Sequence, residues 1–179
     1  MDPDATPDRP MDTSLPAAES APSQLVTAAA SGANWFFWIA GLSVVNSVIQ
    51  LLQSEWGFIV GLGITQVFDA IALAASEELG STGAMVVKAI ALGLDLLAAG
   101  FFALFGWLAR RRMAWAFVVG MVIYALDGAL FIFAQDWLGL GFHGFALFCI
   151  FGGYSAVRRL NAAAADSVAT GPSLEPEGA

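Results

Sequence analysis

The sequence predicts an all-α membrane protein, a bundle of five transmembrane helices with disordered polar tails. Three observations predict it. Hydrophobic residues make up 58% of the 179-residue chain and charged residues only 12%, against roughly a quarter charged in ordinary soluble domains. The charges crowd the ends: residues 1–33 hold five acids and Arg9, and residues 160–179 hold three acids and no base. Between them lie five apolar runs of about the 20 residues that a helix needs to cross a bilayer.

The elements follow in order. Residues 1–33, rich in Asp, Pro, Ser and Ala, read as a disordered acidic tail. They lack the basic leading region of a signal peptide. The first helix is expected at 34–53, opening with Trp35 and Trp38 and carrying Asn46 and Gln50. After QSEW comes a second at 57–76, with Gly57 and Gly61 spaced for close helix packing and Gln66 and Asp69 further on. EELGSTG leads to a third at 84–109, holding Lys88, Asp95, Ala99 and Ala103. Arg110–Arg112 separate it from a fourth at 114–134, with Tyr124 and Asp127. QDW then leads to a fifth at 139–158, with His143 and Cys149, closed by Arg158 and Arg159. Residues 161–179 read as a second polar tail. Hydrocarbon offers no partner to backbone N–H and C=O groups, so these runs must be helices. Short links make neighbouring helices antiparallel.

Basic residues stay on the cytoplasmic side. The clusters at 110–112 and 158–159 are two crossings apart and agree with each other. Counting back through five alternating spans places the amino terminus outside and the carboxyl terminus inside. All six Trp fall at expected helix ends, as interfacial anchors do. The usage of arginine over lysine, together with alanine, suggests a GC-rich genome, and with it the cytoplasmic membrane of a bacterium.

The polar residues within the spans are the candidates for function. An Asp or Lys at a helix centre costs roughly 2.5–3.5 kcal/mol to insert, so Asp69, Lys88, Asp95 and Asp127 must face the bundle interior or water. With His143 they are the candidate ion- or proton-handling groups; Asn46, Gln50, Gln66 and Tyr124 support them. Helical rise pairs some of them by depth. Asp69 and Lys88 lie about equally far from the second turn, so either they form a salt bridge or Lys88 reaches outward to the headgroups. Asp127 and His143 flank the last turn about 6 Å apart in depth, within reach of each other directly or through one water. Tyr124 lies three residues before Asp127, on nearly the same face. Asp95, near the centre of the third helix, can reach Asn46 and Gln50. The same residues also read simply as packing contacts, since polar side chains in membrane bundles bond across helices for about 0.6 kcal/mol each.

A shift of 81 residues lays NSVIQLLQSEWGFIVGLG over DGALFIFAQDWLGLGFHG, matching Asn46 to Asp127, Glu55 to Asp136, Trp56 to Trp137 and Gly63 to Gly144. Three intervening helices would make the two copies inverted, as in many transporters.

Several classes of chemistry are excluded. The lone His143 rules out bis-histidine haem ligation, and no CxxCH, P-loop, dinucleotide fingerprint or GxSxG elbow is present. Cys149 sits alone in an apolar run, as a small core residue does. YALD and GLD do not match the YD and GxGD motifs of intramembrane aspartyl proteases. The net charge of −8 resides mainly in the tails and argues against nucleic-acid binding. No cofactor is expected. The expected partners are the lipid bilayer and either a second copy of the chain, as a homodimer, or other membrane proteins. Three functions remain: a structural or accessory bundle with a buried polar network, a small proton- or cation-coupled transporter or channel, and an intramembrane enzyme, the last without a supporting motif.

Overall fold

A computed structural model describes residues 21–51 and 62–170. The described residues form five helices and no strand: α1 Ala21–Leu51, α2 Gly63–Glu78, α3 Ser81–Arg110, α4 Ala114–Ala134 and α5 Trp137–Ala169. By length and composition, four are long and apolar enough to cross a membrane: α1, α3, α4 and α5. The 16 residues of α2 reach only about 24 Å, short of a hydrocarbon core of about 30 Å.

Local chemistry sets the breaks. Leu79 is extended and Gly80 serves as N-cap, ending α2 and starting α3. Arg112 takes a left-handed conformation (φ 61°) after α3. Gln135 closes α4 as a left-handed cap, its N–H donating to the Ile132 and Phe131 carbonyls. Asp136 then caps α5, accepting from the N–H groups of Leu138 and Gly139.

The helix α1 lies against both α3 and α5, α2 packs on α3 and more lightly on α4, and α4 packs on α5. The core is aromatic. Phe36 of α1 meets Phe102 and Phe105 of α3 and Phe117 of α4 at ring separations of 6.0–6.5 Å. Glycine makes room for it: a Cβ on Gly120 would come within 2.5 Å of the Phe36 ring. At the α1–α5 crossing Gly32 meets Gly153 backbone to backbone, where a Cβ on Gly32 would sit 2.5 Å from the Gly153 Cα. Such close approach is how small residues bind apolar helices together. Ala99 is also buried, with Ala103 packed beside the core; Gly57 and Gly61 lie outside the described residues.

The helix directions correct the sequence-based topology. Asn34 of α1 accepts two hydrogen bonds from Arg110 at the end of α3, at 3.0 and 2.6 Å. Ser47, further along α1, is beside Asp95 of α3. The helix α1 therefore runs antiparallel to α3 and parallel to α4. The turn at Leu79 and Gly80 makes α2 antiparallel to α3 as well. So α1 and α2 run in the same direction, and five alternating crossings do not occur. The starts of α1 and α4 share one end of the bundle with the ends of α3 and α5. The start of α1 and the end of α5 therefore lie at one end of the bundle, where five alternating crossings would set them at opposite ends, and Trp35 and Trp38 lie towards the arginine end. Of the expected inverted repeat, Glu55 and Trp56 lie outside the described residues; its opening pair, Asn46 and Asp127, lies on α1 and α4, which run parallel rather than inverted. Helix α4 keeps its expected bounds, while α1 and α5 exceed theirs. The first begins at Ala21, inside the expected tail, and the last continues to Ala169. The second starts at Gly63, with 57–61 outside the described residues.

Depth along the bundle explains the parallel pair. Leu51 ends α1 eight residues, or about 12 Å, beyond Ser43. Yet the Leu62 N–H donates to Ser43 Oγ at 3.0 Å. The chain leaves α1 near the far end and re-enters α2 midway along the bundle. From there α2 climbs back to the same far end, where α3 begins.

Candidate functional site

A helix that starts inside a bundle brings unpaired N–H groups with it. Leu62 supplies no side-chain cap to α2. The cap comes instead from α4. Asp127 Oδ2 accepts from the Gly63 N–H at 2.7 Å, and its Oδ1 accepts from the Ile64 N–H at 2.9 Å. Thr65 Oγ1 donates to the Leu62 carbonyl at 2.8 Å, and Ser43 takes the Leu62 N–H. The carboxyl group also sits where the α2 dipole favours negative charge.

His143 of α5 completes the arrangement. Its Nε2 lies 3.0 Å from Asp127 Oδ2 and its Nδ1 lies 2.9 Å from the Gly139 carbonyl oxygen. A carbonyl only accepts, so Nδ1 carries a hydrogen. With the hydrogen on Nδ1, Nε2 and Oδ2 are both acceptors, so their 3.0 Å bond needs a second hydrogen between them. The pair is either imidazolium with carboxylate or imidazole with carboxylic acid, and its net charge is zero in both. The imidazole ring is held between aromatic rings. Tyr124 stacks on it at 4.2 Å and 17°, and Phe131 packs at 4.7 Å. A Cβ on Gly128 would come within 3.0 Å of the ring. The Tyr124 hydroxyl is fully buried and has no hydrogen-bond partner.

A second polar cluster lies further along α2. Asp69 of α2 and Asp95 of α3 are neighbours, and Ser47 of α1 is beside Asp95. Asp95 is only 1% exposed. Ser43 and Ser47, one turn apart on α1, link the two clusters; the Ser47 hydroxyl donates to the Ser43 carbonyl.

The structure thus brings Tyr124, Asp127 and His143 together and separates Lys88 from Asp69. Lys88 makes no ion pair among the described residues, where His143–Asp127 is the only one. It instead lines an open surface cavity with Ser81, Met85 and Leu92. Asn46 is buried beside Ser47, the Gln50 side chain lies outside the described ones, and Gln66 lines a shallow cavity with Gly63 and Phe131. Cys149 is half-buried and unpaired. Sequence reasoning missed Gly63 and Ile64 as ligands of Asp127, because backbone N–H groups leave no mark on composition. It also missed Ser43 and Ser47, which i,i+4 hydroxyl spacing on α1 could have revealed. Among the described residues no group of three or more His, Cys, Asp or Glu is placed to hold a metal ion. Comparison with protein-family models, curated proteins and solved structures gives no match for the chain.

Proposed function

We propose that the chain is an integral membrane protein acting as a structural or accessory helix bundle, with four helices crossing the bilayer and α2 as a half-helix entering from the far side. The observation that carries this reading is the Asp127 carboxyl group, which binds two backbone N–H groups of α2 and the His143 ring at once. Both oxygens of Asp127 bind α2 and one also meets His143 Nε2 of α5, while His143 Nδ1 bonds the Gly139 carbonyl within α5 and fixes the ring. A helix end within hydrocarbon needs such a clasp. The arginines at 110–112 and 158–159 support a cytoplasmic location for that end of the bundle, and with it for both termini. Its composition suits the cytoplasmic membrane of a bacterium. The exposed Phe133, Phe148 and Trp137 suit contact with lipid, a second copy or another membrane protein.

A second reading, a small proton- or cation-coupled transporter or channel, is favoured by one observation: the carboxyl oxygens of Asp69 and Asp95 that lack hydrogen-bond partners. Flux separates the two. Proteoliposomes of the wild-type chain, loaded with a pH-sensitive dye, should show no proton or cation flux above empty vesicles under a pH step. A pH-dependent flux abolished by Asp127→Asn in a folded protein would overturn the structural reading.

A further inference from the structure

We infer that Asp69 and Asp95 form one binding site for a single proton, shared between their two carboxyl groups inside the bundle. Both oxygens of Asp95 and Oδ2 of Asp69 are buried without a hydrogen-bond partner. As two carboxylates they would be acceptors facing acceptors. The nearest hydroxyl, Ser47 Oγ, lies beside Asp95 and bonds the Ser43 carbonyl; its single hydrogen cannot serve both, nor satisfy three carboxyl oxygens. Two adjacent like charges of this kind cannot both persist away from water, and one carboxyl keeps its proton. That proton turns an acceptor–acceptor contact into an O–H···O⁻ bond, among the strongest hydrogen bonds that proteins make.

Among the described residues no counter-charge faces the pair. On α3, Lys88 is two turns from Asp95 and faces the surface cavity. On α2, Glu77 and Glu78 lie at the exposed far end. On α1 the facing groups are the neutral Ser47 and Asn46. On α4 and α5, Tyr124, Asp127 and His143 belong to the clasp, whose pair carries no net charge. Among the described residues no group of three or more His, Cys, Asp or Glu is placed to hold a metal ion, and this pair supplies only two carboxyls. The site stands whether or not the chain conducts, since holding a proton is an equilibrium property of the pair.

Infrared spectroscopy of the full chain in lipid bilayers tests it. At neutral pH the spectrum should hold a protonated-carboxyl C=O band that shifts when H₂O is exchanged for D₂O. Asp95→Asn and Asp69→Asn should each remove it, because the amide supplies the donor hydrogen that the proton supplied. Asp127→Asn should leave it in place. Helical circular dichroism checks folding, and the half-buried Asp69 gives the variant that disturbs packing least, so that variant alone decides should Asp95→Asn fail to fold. The clasp can itself hold a carboxylic acid, so the band is read in the Asp127→Asn background: its absence there, or its survival on adding Asp69→Asn or Asp95→Asn in a folded protein, overturns the proposal. Loss of the band on adding sodium chloride at constant pH also overturns it, in favour of a metal-cation site.

Discussion

Replacing Asp127 probes the clasp from both sides. In Asp127→Ala the N–H groups of Gly63 and Ile64 lose their acceptor in the bundle interior. Each buried donor left unsatisfied costs about 1–3 kcal/mol, so the two together cost about 2–6 kcal/mol before the lost His143 bond is counted. Asp127→Asn is milder. Its Oδ1 still accepts from Ile64, and its Nδ2 can donate to Nε2 of a neutral His143. Only the Gly63 N–H is then opposed, donor to donor, at about 1–3 kcal/mol. The expected order of stability is wild type, then Asn, then Ala. Reversible unfolding in mixed micelles by denaturing detergent measures it, and amide hydrogen exchange should locate the loss at the first turn of α2. If Ala unfolds like the wild type, or if exchange at Gly63 and Ile64 is unchanged in Ala, the clasp does not hold α2.

Two further substitutions test the packing around it. Gly153→Ala sets a methyl group against the Gly32 backbone, where an ideal Cβ would lie 2.6 Å from the Gly32 Cα. Overpacking of this kind costs about 1–3 kcal/mol, and since both sides are backbone the cost should fall at the upper end. A lower thermal midpoint in detergent checks it; an unchanged midpoint would mean that α1 and α5 do not cross there. Tyr124→Phe removes a buried hydroxyl without a partner while keeping the ring stacked on His143, so it should be neutral or stabilising by up to about 1–3 kcal/mol. A clear loss of stability would reveal a partner for that hydroxyl.

What the sequence made legible follows from what hydropathy and helical rise can measure. The long apolar runs mark α3, α4 and α5 to within a few residues at most ends. Asp127 and His143 are recognisable as a pair because they flank one tight turn, where counting residues gives depth directly. The same counting misleads for Asp69. It matches Lys88 in depth but takes no account of helix face, and α2 meets α3 on the face of Asp95. The half-helix is hidden for a different reason. GFIVGLGITQVF reads as one continuous apolar run, and nothing in its hydropathy marks Leu62 and Gly63 as a start midway along the bundle. Its cap lies 64 residues away in sequence, so no local capping motif announces it. Missing that start reversed the direction assigned to α1 relative to α3.

The most direct measurement of the account is the sidedness of three points along the chain. Single-cysteine or reporter tags ahead of Ala21, at Gly80 and after Ala169 in right-side-out and inverted vesicles would report it. Four crossings and a re-entering α2 place both ends in one compartment and Gly80 in the other. Ends in opposite compartments would mean five full crossings and would contradict the parallel α1 and α2 on which the Asp127 clasp depends.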